Sequence, residues 1–234
     1  MSPRPNEALA IVGFGKMGHL VEQLAPQYGF VVQAKFTGAN IHELSSASLN
    51  GARIAVEFTT PSAAPANLAT LASLGVSTVC GTTGWLDHLP QVRAAVTAAN
   101  TALVYSANFS VGVNLFLQAV AATAASFAKH PEYEAWGWEI HHSAKKDAPS
   151  GTLNALAQEI RGSGYTRTLT LSSNRAGANP GTHEIGFDSP ADTITLRHTA
   201  RSREGFARGA LRAAQWLAGK KGVHEFRNIL GELN

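Results

Sequence analysis

The chain has 234 residues, enough for one large domain or two modest ones with a real core. Its hydrophobic fraction is an ordinary 44%, only 15% of residues are charged, and the formal net charge is +3. No run of Lys or Arg exceeds two residues and aromatics do not interleave with basic patches, which argues against nucleic-acid binding; no apolar run of ~18 residues is present, so no transmembrane helix is expected.

In chain order, Met1-Ser2-Pro3-Arg4-Pro5-Asn6 lacks the apolar core of a signal peptide. The single cysteine, Cys80, rules out an internal disulfide and fits a reducing, cytoplasmic compartment. Ala8–Val12 reads as a buried strand that runs into Gly13-Phe14-Gly15-Lys16-Met17-Gly18, followed by a helix to about Gln27. A glycine-rich turn between strand and helix is the setting of a dinucleotide fingerprint. Gly13 permits the tight turn, Gly15 lets the backbone approach a pyrophosphate, and Gly18 lets helix and sheet pack closely, with the helix N-terminus facing the phosphates. Lys16 either touches a phosphate or is solvated.

Phe30–Phe36 is the second strand. Its end, Gln33-Ala34-Lys35-Phe36-Thr37, carries no acid to hold the ribose 2′-hydroxyl of NADH. Lys35 either meets the 2′-phosphate of NADPH or is an exposed lysine; the missing acid favours NADPH. Arg53–Phe58 is a third strand, ending in the turn and helix cap Thr59-Thr60-Pro61-Ser62. An Ala/Leu-rich helix over Ala63–Leu74, a strand at Ser77–Cys80, a helix after Pro90 and a strand at Thr101–Tyr105 complete the first half. Strand and helix alternating at this spacing predict a parallel sheet with helices on both faces.

The pattern changes near Ala107-Asn108-Phe109-Ser110. A long helix, about Val113–Lys129, precedes strands at Ala135–His142, Thr168–Leu171, His183–Phe187 and Thr193–Ala200, with one helix at about Thr152–Arg161 among them. Strands in runs predict a second, smaller mixed α+β domain. A last helix, about Glu204–Leu217, and the tail Val223–Leu230 return to the first domain. The expected division is 1–108 completed by about 204–234, and 109–203.

The segment richest in chemistry is Trp138-Glu139-Ile140-His141-His142-Ser143-Ala144-Lys145-Lys146-Asp147-Ala148-Pro149-Ser150-Gly151-Thr152. Its lysines supply compact positive charge, its histidines titrate near neutral pH, and Ser150-Gly151-Thr152 opens a helix whose backbone N–H groups can take a carboxylate. Together they suit a small dianion that must receive a proton. Adjacent strand residues face opposite ways, which favours distinct roles for His141 and His142 and argues against one shared metal ion. Glu139 either orients a histidine or pairs elsewhere.

This segment resembles the substrate signature of the 4-hydroxy-tetrahydrodipicolinate reductase family, nicotinamide-dependent enzymes of lysine biosynthesis through diaminopimelate. Cys80-Gly81-Thr82-Thr83-Gly84 and Tyr105-Ser106-Ala107-Asn108-Phe109-Ser110-Val111-Gly112-Val113-Asn114 resemble two further family segments, and the likeness runs from Ala8 to Phe226. It implies a Rossmann-type nucleotide domain and a substrate-binding and assembly domain. It implies cofactor contacts at Gly13–Gly18, Gly81, Thr82, Thr83 and Ser106–Phe109, and both NADPH and NADH as cofactors. His141 would be the proton donor, His142 a substrate contact, Lys145 the residue that orients substrate and assists protonation, and Gly151 and Thr152 the carboxylate site; no metal is implied. The substrate would be a cyclic dicarboxylate. Loss of its 4-hydroxyl as water leaves a conjugated ring; hydride adds at ring carbon 4, and His141 protonates the resulting anion. A homo-oligomer, a tetramer, is implied, although Asp188-Ser189-Pro190-Ala191-Asp192 is shorter than the hairpin of many relatives, and Asp188 stands where many have a histidine. The alternatives are another two-domain NAD(P)-dependent dehydrogenase, which shares the glycine fingerprint but not the whole signature, and a non-catalytic dinucleotide sensor, which would not need His141, Lys145 and Thr152.

Overall fold

The computed structural model describes residues 6–233. The segment Met1–Pro5, part of the stretch read above for a signal peptide, and Asn234 lie outside the described residues. The chain divides into two compact units: residues up to Ser110 with the C-terminal stretch from Phe206, and Val111–Gly205.

The first unit holds β1 (Glu7–Val12), α1 (Lys16–Leu24), β2 (Phe30–Phe36), β3 (Ile54–Glu57), α2 (Ala64–Ser73), β4 (Ser77–Cys80), α3 (Leu89–Ala98) and β5 (Ala102–Tyr105). After the second unit the chain returns through α6 (Glu204–Trp216) and β10 (Gly222–Glu225). The six strands form a sheet in the order β10-β5-β4-β3-β1-β2, parallel throughout. Parallel strands covered on both faces read as continuous apolar runs. Leu9, Ala10, Ile11 and Val12 are accordingly all fully buried. One core cluster gathers Ala10, Val12, Ala34, Phe36 and Leu71; another gathers Leu68, Cys80, Trp85, Val92 and Leu103. The tail, expected only to return to this unit, contributes its sixth strand: Gly222–Glu225 pairs with β5, and 3₁₀ turns follow over Phe226–Glu232. Four residues with two polar side chains give too short a pattern for a strand to be read locally; pairing with β5 supplies the missing constraint.

The second unit holds α4 (Val111–Phe127), β6 (Glu134–His141), α5 (Gly151–Gly162), β7 (Leu169–Arg175), β8 (Thr182–Asp188) and β9 (Thr193–Thr199). Its sheet runs β7-β6-β8-β9, with β6 parallel to β7 and β8 antiparallel to both neighbours. Phe116 and Val120 of α4, and Leu153, Leu156 and Ile160 of α5, pack with Ala135, Ile185 and Phe187 in one core. Arg167 closes the end of α4 by donating to the carbonyls of Phe127, Ala128 and His130 at 2.9, 3.3 and 3.0 Å. β7 extends four residues beyond its apolar start, through Ser172-Ser173-Asn174-Arg175. Alternate side chains of that extension build the site.

Candidate active site

At the carboxyl edge of the parallel sheet, Gly13 has φ +96°, and a Cβ there would lie 2.0 Å from the Phe58 carbonyl oxygen. The turn therefore requires glycine. Gly15 is the N-cap of α1, with nothing within 4 Å of its Cβ position. Gly18 is buried, and its Cβ would meet the Gly13 carbonyl oxygen at 2.6 Å, which sets the close packing of helix and turn. Beside this turn lies a cavity of about 380 Å³, lined among others by Gly13, Phe14, Gly15, Phe36, Thr37 and Thr59. That is ample for part of a small ligand. Lys16 is exposed and Met17 half-buried.

Lys35 is not among the residues lining this cavity; its Nζ pairs with Glu22 Oε1 at 3.0 Å and sits 4.9 Å from the Phe14 ring centroid. The expectation placed it towards the ribose. Alternation along β2 turns it to the face opposite Ala34 and Phe36, where α1 supplies Glu22.

Behind the glycine turn, Glu57 is fully buried at the end of β3. Thr82 Oγ1 donates to its Oε2 at 2.7 Å, the Thr59 hydroxyl donates to Oε1, and Cys80 Sγ lies 3.1 Å from Oε2. The Thr59 amide in turn donates to Thr82 Oγ1 at 2.7 Å. Glu57 thus ties the Thr59 loop to Gly81-Thr82-Thr83. Burial, then the Glu57 charge, pushes the Cys80 thiol well above its ordinary pKa, so it is an inert structural residue. Just past β5, Ser106 Oγ donates to the Asn108 carbonyl at 2.8 Å and accepts from the Asn108 amide at 3.1 Å, while Ala107 is exposed. Phe109, read as a cofactor contact, has its ring in the core, 2% exposed and 4.7 Å from Phe226. Its apolar side chain follows burial, and its carbonyl oxygen packs against α6 at Gly209, where a Cβ would lie 1.7 Å from it.

In the second unit, the sheet register assembles a polar row. Glu139 on β6 stands directly opposite Ser173 on β7 and His183 on β8, and His183 is opposite His198 on β9. Two residues on, His141 is opposite Arg175. Residues in register and two apart share a face, so these six side chains converge. Glu139 Oε1 accepts from the Ser150 amide at 2.8 Å, Ser173 Oγ at 2.9 Å and Arg175 Nη2 at 2.9 Å. Its Oε2 lies 3.3 Å from His183 Nε2 and 3.5 Å from His141 Nδ1, ion-pair distances without hydrogen-bond alignment. Ser150 caps α5 by accepting from the Leu153 amide at 3.2 Å, and its Oγ is 3.2 Å from His183 Nε2. The two imidazoles meet edge to face, with centroids 5.0 Å apart.

The charges follow from this geometry. Burial opposes ionisation of Glu139, but hydrogen bonds from Ser150, Arg175 and Ser173 outweigh it and hold the carboxyl down to about 2. Burial, then His141 and His198, lower His183 to about 4 against the pull of Glu139. Burial also lowers His141; Glu139 and Asp147 oppose the shift, and Lys145 and Arg175 add to it. His198 is lowered by burial alone.

His142 lies just past the end of β6 and is half-buried. Lys145 Nζ is held by both oxygens of Asp147, at 2.8 and 3.0 Å, while Lys146 is exposed. Gly151 and Thr152 open α5, where first-turn amides have no intrahelical acceptor. His183, Arg175 and Ser173 join the site without having been read from the sequence. Only the period-two spacing of Ser173 with Arg175, on a strand taken to be shorter, gave a signal. His183 also revises the metal argument: His141, His183 and Glu139 each offer one ligand atom within 4.8 Å. Arg175 already sits on that carboxylate, and a fixed cation beside a buried anion works against a dication at the same place.

Two family models match the chain: dihydrodipicolinate reductase, N-terminus, over residues 8–109, and dihydrodipicolinate reductase, C-terminus, over residues 112–230. The 4-hydroxy-tetrahydrodipicolinate reductase of Christiangramia forsetii is 32% identical, covering 96% of this chain and 98% of that protein. That of Thiobacillus denitrificans is 35% identical over 83% of this chain and 79% of that protein. Among solved structures, the dipicolinate-bound dihydrodipicolinate reductase from Paenisporosarcina sp. TG-14 superposes with a TM-score of 0.82 at 21% identity, over 96% of this chain and 99% of that one.

Proposed function

This chain belongs to the dihydrodipicolinate reductase family, and on that premise we propose how its residues divide the work of the reaction. The enzyme reduces 4-hydroxy-tetrahydrodipicolinate to tetrahydrodipicolinate with a nicotinamide dinucleotide, on the diaminopimelate route to lysine. Bound NAD(P)H supplies the hydride; orientation and electrostatics are the protein's share.

The Gly13 turn, whose geometry leaves no room for a Cβ, and the adjoining cavity fit a dinucleotide, with the α1 N-terminus towards its phosphates. The loops at Gly81–Thr83 and Ser106–Phe109 contact its nicotinamide half. Thr37 follows β2 where an acid would repel a 2′-phosphate, so NADPH is preferred and NADH accepted. Lys35 aids that preference on leaving Glu22, an exposed partner whose pairing is worth about 0–1 kcal/mol.

The amides of Gly151 and Thr152 and the Lys145 ammonium bind the substrate's carboxylates, and His142 contacts the ring. His141 donates the proton to the anion left by hydride addition. Its pKa is depressed by burial and by the cations Lys145 and Arg175; a dianionic ligand offsets those cations and favours the imidazolium that the step needs. The observation carrying this assignment is the fixed juxtaposition of a buried imidazole, its carboxylate neighbour and the start of α5, one short loop apart.

The test is oxidation of NADPH and NADH with the substrate generated in place by the preceding enzyme. His141→Gln should lower kcat more than it changes KM, by roughly 10²–10⁴-fold for a lost general acid. Near-wild-type turnover would end the donor assignment.

Self-association through the mixed sheet accompanies this reading. The face carrying half-buried Trp136, Trp138 and Ile140 alternates with the face that α4 and α5 cover. Sedimentation of the intact protein decides between a tetramer and a smaller assembly. Among the described residues no helix is long and apolar enough to cross a membrane; a cytoplasmic site of action accords with the supply of reduced nicotinamide there.

A further inference from the structure

Glu139 touches no solvent, yet it accepts hydrogen bonds from three residues of the second unit and lies at ion-pair distance from two histidines. Burying a carboxylate is costly unless donors replace its water, and here three donors converge on Oε1 alone. The core beside it is apolar, so packing by itself did not require a charge there.

What the charge reaches is informative. Oε2 faces His141 Nδ1 at 3.5 Å and His183 Nε2 at 3.3 Å, ion-pair distances, and neither Oε2 nor His141 Nδ1 has another hydrogen-bond partner among the described residues. The opposite ring nitrogen, Nε2, is kept clear by Gly181, where a Cβ would come within 2.9 Å of it and where φ is +139°. A histidine that donates from Nε2 needs its Nδ1–H directed at an acceptor, and that acceptor selects the tautomer. Oε1 meanwhile holds the amide of Ser150, the N-cap of α5. One carboxylate is therefore shared between the imidazole and the helix start.

We propose that Glu139 is a positioning residue. Its Oε2 holds His141 with Nδ1 protonated and Nε2 free to deliver the proton. Its Oε1 locks the N-terminus of α5, and with it the Gly151-Thr152 amides, in fixed register to that ring. This rests on His141 being the proton donor. The charged and titratable groups facing the pair are Arg175 on β7, His183 on β8, His198 beyond it on β9, and Lys145 and Asp147 from the loop after β6.

Glu139→Gln keeps the shape and one acceptor oxygen but removes the charge. We expect a folded protein with kcat lowered roughly 10- to 100-fold, as for other residues that orient a reacting imidazole, and substrate KM changed by much less. The carboxylate favours the imidazolium, so without it the fall of kcat with rising pH should begin at lower pH. A merely structural glutamate would not move that profile. In the wild-type protein, ¹⁵N-histidine NMR should find neutral His141 in the Nδ1–H tautomer and His183 in the Nε2–H tautomer; this measurement stands even where Glu139→Gln fails to fold. An Nε2–H tautomer for His141, or a folded Glu139→Gln enzyme with wild-type kcat and pH profile, overturns the proposal. If His141→Gln itself keeps its turnover, the donor assignment falls and the proposal with it. If His141→Gln is inactive while Glu139→Gln is unimpaired, only the positioning role is lost.

Discussion

Replacing His183 by Asn should flatten the acid side of the stability curve. His183 is 4% exposed, and burial, reinforced by His141 and His198, lowers its pKa from 6.5 to about 4 in the folded protein. Between those values the unfolded chain binds the proton and the folded one does not, so falling pH favours unfolding. The contribution is complete above the unfolded value and is lost as pH drops towards 4. Relative to neutral pH, the linkage relation gives a loss of about 1 kcal/mol near pH 5.5 and of about 2–3 kcal/mol near pH 4.5. Glu139 acts in a separate, lower window. Its folded pKa is about 2 against 4.5, so its contribution is intact above 4.5 and is lost towards 2. His141 and His198 are depressed in the same direction as His183, so the slope in His183→Asn should shrink, not vanish. Urea unfolding followed by tryptophan fluorescence in a background with Trp85 and Trp216 of the first unit replaced by Phe leaves Trp136 and Trp138, both in the mixed sheet, to read this unit. The difference in stability between wild type and variant should narrow, or change sign, as pH is lowered from neutrality to about 4.5. A constant difference across that range would mean that His183 titrates normally and that the polar row is hydrated.

Lys35→Glu should lower kcat/KM for NADPH more than for NADH, because it sets a second anion beside Glu22 where the 2′-phosphate is expected; an unchanged ratio of the two would leave Lys35 a surface residue. The two fingerprint glycines should behave differently on replacement by Ala. Gly13→Ala collides with the Phe58 backbone and should destabilise the folded protein, measured as a lowered Tm. Gly15→Ala meets nothing within 4 Å and should leave Tm unchanged while raising the cofactor KM; equal effects at both positions would contradict close approach of the pyrophosphate.

Local chemistry made much of this protein legible. The β1 run, the Gly13–Gly18 turn and the helix after it announce themselves through period and backbone need, because Gly13 has a conformation open to few other residues. The stretch from Glu139 to Thr152 carries its imidazoles, its ammonium and its helix cap within one loop's reach, so sequence distance and spatial distance nearly coincide. What the sequence left open depended on pairing between distant strands. Arg175 and His183 lie far from Glu139 along the chain and reach it only because β7 and β8 flank β6 in one particular register. A one-residue slip would turn both to the other face. The polar end of β7 looks like a loop until Glu139 accepts its side chains, and β10 looks like a tail until β5 pairs with it. Lys35 was left open locally for the converse reason: its type suits a phosphate or solvent, and strand alternation together with Glu22, 13 residues upstream on α1, decides which way it faces. Residue type and local period specify each element and much of its chemistry. The partners of a buried charge are chosen by sheet register, which no single segment encodes.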